Sequence, residues 1–245
     1  MRALTSRIVF ALAALLPAAA HAGAFGVSPI RLDFDRNTRT GLVTVANDDE
    51  RRLYFQLKLY VWTQTPEGED QYAESADLVF FPQIMTVEPK ERRLVRVGVK
   101  GAPAGPERAY RLFIEEMPDP GDTLTGGAQI AVRLRFGVPI FVAPAEKAAP
   151  LPEIVAADAA KGAVLVRIRN TGDRQIRFEE VVARSGDRTV GKAAGWYVFP
   201  GATRTFSIPI DKEGCPSGGD IEVRATGEGK DVRKALPASP LLCQG

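Results

Sequence analysis

The sequence predicts an all-β protein built from two sandwich domains, and three observations carry that reading. Short runs of alternating apolar and polar residues recur along the chain between clusters of Gly, Pro, Asn and Asp, and no stretch has convincing helical spacing. About 220 residues follow an N-terminal leader, enough for two domains of ~100 residues. Between them, Ala143 to Pro152 (APAEKAAPLP) breaks the strand pattern with Pro and Ala and marks a seam.

The leader is residues 1–22. Arg2 and Arg7 form a basic start, Ile8 to Ala20 an apolar run, and Ala20-His21-Ala22 a small-x-small cleavage site, the pattern of a secretory signal. The run is too short to span a bilayer, and no later segment approaches the ~20 apolar residues a span requires. The mature chain is therefore expected to begin at Gly23 and to be exported without an integral membrane segment.

Cleavage changes the chemical inventory. The single histidine, His21, leaves, so the mature chain lacks a Ser-His-Asp or Cys-His pair and His-ligated zinc. Arg2 and Arg7 leave too, so 30 of the 32 basic residues remain, against 30 acidic. That balance argues against a nucleic-acid binder, which needs a basic excess. No enzyme activity, cofactor or metal is expected, although Ser-Lys hydrolysis survives as a distant alternative. The two cysteines, Cys215 and Cys243, are expected to pair in an oxidising compartment, closing a loop worth ~3 kcal/mol in the chain-entropy model.

The first domain, taken as 23–144 after the signal at 1–22, shows strand patterns at 25–35, 41–47, 53–63, 78–81, 92–99, 109–117 and 129–142. Seven strands in ~120 residues fit an immunoglobulin-like sandwich. The second domain, taken as 150–245, shows weaker patterns at 163–169, 176–183, 195–199, 203–210, 220–225 and 230–235, a looser sandwich of the same kind.

The segment QIAVRLRFGVPIFV (129–142) stands apart. Every even position from Ile130 to Val142 is apolar, which gives a strand with one greasy face. At its full length it would run ~45 Å, whereas a sandwich strand usually covers ~17–20 Å. Part of it must overhang or bend, and an overhanging apolar strand invites a pairing partner.

Other motifs have plainer readings. Glu115 and Glu116 are neighbours on a strand and point to opposite faces, so they cannot share a proton-transfer task. Asn47-Asp48-Asp49-Glu50 lacks calcium-loop spacing and fits a hairpin turn. Arg31 follows Ser28-Pro29-Ile30 on an apolar strand, so its guanidinium either snorkels to solvent or waits for an anion such as a carboxylate. Arg96 and Glu116 also fall on strands and are expected to form a partly buried structural ion pair.

Taken in order, several segments resemble the periplasmic chaperones of the chaperone-usher pilus pathway, the PapD-like family. They are Val27-Ser28-Pro29-Ile30-Arg31, Thr44-Val45-Ala46-Asn47, Phe81-Pro82 with Val87-Glu88-Pro89, Leu94-Val95-Arg96-Val97, Tyr110 to Pro118, and the alternating strand ending in Phe141-Val142-Ala143-Pro144. The resemblance covers the first domain well and the second in outline. It implies two immunoglobulin-like domains in a boomerang, with the seventh strand of the first lent to a pilus subunit that lacks its own last strand. By position, Ile130, Val132, Leu134 and Phe136 are the donor side chains, Arg31 anchors the subunit's terminal carboxylate, and Arg96–Glu116 is a structural pair near the domain interface. The sequence departs from the family at Pro139, where the pattern has a lysine that shares the anchoring. Arg111, Arg133 and Arg135 are the candidates to complete it. The implied function is a periplasmic chaperone that stabilises pilus subunits and delivers them to an outer-membrane usher, and self-association of the free chain is compatible with it. The alternative is an exported structural or adhesive protein of two immunoglobulin-like domains, perhaps itself part of a fibre.

Overall fold

The computed structural model describes residues 25–101, 105–121, 132–146, 148–211, 215 and 219–244. The leader and Ile130 lie outside these residues. The fold is all-β: four sheets form two sandwiches, joined by the link from Ala143 to Leu151.

In the first sandwich the opening strand is not continuous, as its apolar pattern had suggested. β1 (Phe25–Ser28) pairs antiparallel with β3 (Thr40–Asn47), whereas β2 (Leu32–Phe34) pairs parallel with β10 (Arg135–Val142) in the opposite sheet. The switch falls at Pro29-Ile30-Arg31, where proline has no N–H with which to continue the first ladder. The four-stranded sheet runs β1-β3-β8-β6, with β8 at Arg92–Val99 and β6 at Leu78–Phe81. The facing sheet runs β2-β10-β9-β4-β5, with β9 at Arg108–Met117, β4 at Leu53–Gln64 and β5 at Asp70–Glu74; β7 (Ile84–Val87) pairs the start of β4. Alternate residues meet between the sheets, among them Val45, Phe55, Val97, Leu112, Val138 and Ile140, each fully buried.

The second sandwich opposes β11 (Pro152–Ala160), β12 (Ala163–Asn170) and β16 (Thr203–Pro209) to a sheet in the order β14-β13-β17-β18. The latter strands are Arg188–Ala194, Ile176–Ser185, Asp220–Gly227 and Lys230–Pro237; β15 (Tyr197–Val198) pairs the start of β13. Cys215 and Cys243 pair as expected, tying the approach to β17 to a short 3-10 turn at Pro240–Cys243.

The sandwiches share an apolar interface. Trp62, Ala109 and Phe141 of the first belong to the hydrophobic core of the second, and the Trp62 ring meets Phe199 at 4.7 Å and Tyr197 at 5.2 Å, both edge-on. Polar contacts surround this plug. Gln64 Nε2 donates to the Tyr197 carbonyl at 3.0 Å while its Oε1 accepts from the Phe199 N–H at 2.9 Å, and Trp196 Nε1 donates to Asp70 at 2.8 Å. The hairpin tip at Gly68 approaches β16 so closely that a Cβ there would lie 2.6 Å from the Arg204 Cα, and its φ of 85° favours glycine independently. On another side of the seam Glu107, its side chain 1% exposed, accepts from the Gln175 N–H at 2.9 Å and from Arg174 Nε at 3.2 Å. Many separate contacts thus hold one sandwich against the other.

Candidate functional site

The long alternating segment changes character along its length. Ile140 to Val142 lie between β2 and β9, with a strand on either side, but Arg135 to Pro139 pair with β9 alone. Among the described residues no strand covers their second edge. Among the described residues regular pairing begins at Arg135; 132–134, expected as strand, precede the ladder, and 129–131 lie outside the described residues. Just before it, the Glu116 N–H donates to the Leu134 carbonyl at 3.0 Å, and the Leu134 N–H reaches the Glu116 carboxylate at 3.4 Å.

Burial follows the neighbours. Val138 and Ile140 are fully buried and Val142 nearly so, whereas Leu134 is 42% and Val132 76% exposed. Phe136 is intermediate and packs against the core of its own sandwich, which limits its part as a donor side chain. The three described donor candidates therefore grade from Val132, wholly available, to Phe136, largely used.

Arg31 lies where the chain changes sheets, with a quarter of its side chain exposed. Its Nε donates to both Asp33 oxygens at 3.0 and 2.9 Å, Nη2 donates to Asp33 Oδ1 at 2.8 Å, and Nη1 reaches across the seam to Glu228 at 2.8 Å. The guanidinium stacks on Phe141, 4.7 Å from the ring centroid. Burial works against its charge, but the hydrogen bonds and charge of Asp33, with Glu228 behind, hold its pKa above the ordinary arginine value.

The expected Arg96–Glu116 pair does not form. Arg96 alternates with buried Val95 and Val97 on β8 and so points out of the four-stranded sheet, while Glu116 lies on the inward face of β9 in the other sheet. With one pointing outward and the other on the facing sheet, they cannot meet. Glu107 with Arg174 and Gln175, and Arg31 with Glu228, hold the interface instead.

Of the three arginines that could replace the missing lysine, Arg133 is exposed, and Arg135 pairs with Glu115 at 2.7 Å and stacks on Phe113 at 3.6 Å. Arg111 is the residue opposite Pro139 in the β9–β10 register. It occupies the outer face of the sheet at the seam, over Trp62, with Trp196 of the second sandwich 5.5 Å away. Arg31, Arg111 and Arg177 all act on the Tyr197 phenol. Its pKa is raised chiefly by burial, against the pull of those cations. β10 thus runs past a group of cations and aromatic rings at the seam, Arg31 on Phe141, Arg111 on Trp62 and Arg177 on Tyr197. Sequence reasoning missed Trp62, Tyr197 and Glu228, which are far apart in the chain and meet only when the sandwiches pack.

Comparison with known proteins agrees with this geometry. The family model of the pili and flagellar-assembly chaperone, PapD N-terminal domain, matches residues 24–148. The chain belongs to this family. Its members are pilus chaperones, not enzymes. No curated protein sequence matches. Among solved structures, a chain of the CsuC–CsuE chaperone–tip adhesion subunit pre-assembly complex from the archaic Csu pili of Acinetobacter baumannii is 19% identical, with a TM-score of 0.62 over 87% of this chain and 98% of that one. The Salmonella enterica SafA pilin–SafB chaperone complex gives 14% identity and a TM-score of 0.59 over 89% and 99%. The Pseudomonas aeruginosa CupB2 chaperone gives 14% and 0.55 over 87% and 100%. At these identities the likeness establishes a shared two-sandwich fold, and it extends over both halves of the molecule.

Proposed function

We propose that the chain is a periplasmic chaperone that holds pilus subunits by strand donation and passes them to an outer-membrane usher. The observation that carries this reading is the uncovered edge of β10 at Arg135 to Pro139, preceded by exposed Val132 and Leu134. A subunit strand laid along that edge gains main-chain hydrogen bonds, and Val132, Leu134 and, upstream, Ile130 enter its open groove. Phe136 marks the boundary at which the donor strand returns to its own core. Burying three or four such side chains yields ~5–10 kcal/mol gross. Lost freedom on association offsets several of those, leaving a stable but exchangeable complex. The subunit's chain end then lies in the cation-lined cleft near Arg31 and Arg111. The secretory leader and the disulfide fit an oxidising periplasm.

The competing reading, a structural or adhesive fibre component, needs the alternating strand to be wholly internal, and the exposure of Val132 and Leu134 speaks against it. Co-expression in a periplasm with a pilus subunit, followed by pull-down, tests the proposal. Leu134→Arg is expected to fold normally and lose capture, since a buried unpaired charge in the groove is costly. Undiminished capture by that variant would remove the strand-donation mechanism.

A further inference from the structure

We infer that a cavity in the seam beside Glu107 takes a small uncharged ligand with a flat apolar body and an amide edge, one carbonyl oxygen next to one N–H. The cavity measures about 460 Å³ and is walled by both sandwiches. The first supplies the end of β4 with the hairpin beyond it (61–66) and the approach to β9 (106–109), and the second supplies Gln175 and the turn before β16 (199–202). Spaces of this size between domains bind small molecules when the wall is mostly apolar and a few polar groups converge on it. Neither Arg31 nor Arg111 lines this one, so it is distinct from the cations along β10.

What the wall leaves unpaired decides the ligand. Its charges are already matched: Glu107 accepts from the Gln175 N–H at 2.9 Å and from Arg174 Nε at 3.2 Å, and Arg108 Nη1 donates to Asp77 at 2.7 Å. A charged ligand would lose its hydration there with no free counter-charge to replace it. Gln64 is engaged as well, since its amide donates to the Tyr197 carbonyl and accepts from the Phe199 N–H. Two neutral groups remain. Among the described residues Trp62 Nε1, a donor, and Gln175 Oε1, an acceptor, have no hydrogen-bond partner, on residues that are 1% and 4% exposed.

Buried polar atoms are nearly always paired, so each orphan calls for an occupant. Here one comes from each sandwich, both belong to residues of the same wall, and their types are opposite. A single amide edge completes both: its carbonyl accepts from the indole N–H, and its N–H donates to the Gln175 oxygen. The body of the ligand rests against Phe199, Ala109 and Ala202. Trp196 makes the contrast, because its Nε1 already donates to Asp70 at 2.8 Å and needs nothing more. A ligand held by one group from each sandwich also ties the two together, so its binding stabilises the folded chain.

Benzamide is the probe, titrated into the full mature chain. Benzoate is its charged counterpart, and acetophenone keeps the carbonyl but lacks the N–H. The chain has two tryptophans, so proton–nitrogen correlation spectra carry two indole signals, assigned with Trp196→Phe. The Trp62 signal is expected to move downfield and saturate with a Kd on the order of 1 mM, as suits a fragment of this size, while the Trp196 signal stays in place. Benzoate should bind at least about tenfold more weakly, and acetophenone about three- to tenfold more weakly because Gln175 Oε1 stays unpaired. Saturating benzamide should raise the thermal unfolding midpoint, and benzoate should not. Gln175→Met, close in size, should erase the advantage of benzamide over acetophenone; if that variant does not fold, the three probes on the wild type decide alone. An unmoved Trp62 signal overturns the proposal and leaves a cavity that holds water only. Equal affinity for the three probes, movement of both indoles without saturation, or a benzamide advantage that survives in folded Gln175→Met overturns it too. Subunit capture involves none of these groups, so this site and strand donation fail separately.

Discussion

The two halves of the alternating segment are written in the same pattern and end in opposite states. Val138, Ile140 and Val142 are buried beneath the facing sheet and lie where β10 is braced by β9 and, at its end, by β2. Val132 and Leu134, with the same kind of side chain at the same spacing, face solvent. The difference lies in the neighbours. Val138 stays buried under the facing sheet although, among the described residues, only β9 pairs with that part of β10, whereas Val132 and Leu134 precede the ladder that begins at Arg135. A sheet edge of this kind is normally blunted by charge, bulges or cover. Here the exposed apolar residues lie directly before it, as the proposed strand donation requires.

Truncation separates the halves most sharply. Ile140→Ala removes fully buried methyl groups and is expected to cost ~2–5 kcal/mol of folding stability. Leu134→Ala should stay within about 0.5 kcal/mol, because the side chain is already in water. Urea unfolding monitored by circular dichroism checks both. A loss of several kcal/mol for Leu134→Ala would mean that its side chain is spent on its own sandwich and cannot be lent.

A smaller effect is expected at the seam, where buried Glu107 contrasts with the more exposed Arg31–Glu228 contact. Glu107→Ala strands the Gln175 N–H and the Arg174 guanidinium, a loss of ~1–3 kcal/mol. Burial raises the Glu107 pKa, against the opposing pull of the Gln175 N–H and Arg174. The folded state therefore binds a proton more readily than the unfolded chain does between the ordinary glutamate value and the raised one. Across that window wild-type stability rises as pH falls and declines as pH rises. Glu107→Gln should flatten this dependence, and unfolding curves collected from pH 4 to 7 would show it. An unchanged pH profile would place the titration elsewhere.

What the sequence revealed follows from how each element earns its stability. Strands of the core announced themselves by strict alternation: β4, β8, β9 and β12 lie close to the expected ranges. β5 (DQYAE) and β11 (PEIVAADAA) did not, because a hairpin partner and not an apolar face holds the first, and alanines blur the period of the second. A repeat too short to claim from sequence is plain in space. Asn47 Nδ2 donates to the Arg51 and Val87 carbonyls at 2.7 and 3.0 Å, and Asn170 Nδ2 donates to those of Arg174 and Val198 at the same distances. Both lie at the end of a strand, followed four residues on by arginine and eight on by a buried phenylalanine, Phe55 or Phe178. The Arg96–Glu116 expectation failed because strand membership alone does not say which face a residue takes or which sheet its partner joins. Pro139 was legible as a departure, but the packing of Arg111 opposite it was not, since that depends on the room at Gly137 and on a tryptophan from each sandwich.

The smallest effect sharpens the contrast between the two cleft arginines. Glu228→Gln removes one of the two anions on Arg31, a contact whose carboxylate is nearly half exposed. Exposed pairs of this kind contribute ~0.2–1 kcal/mol and are screened by salt, so the loss of stability should be slight and should vanish in 1 M NaCl. The charge around Arg31 would change more than the stability does: with Asp33 alone remaining, the site becomes neutral in place of net negative. A loss of stability that persisted in 1 M NaCl would show that the Arg31–Glu228 contact is more than a screened surface pair.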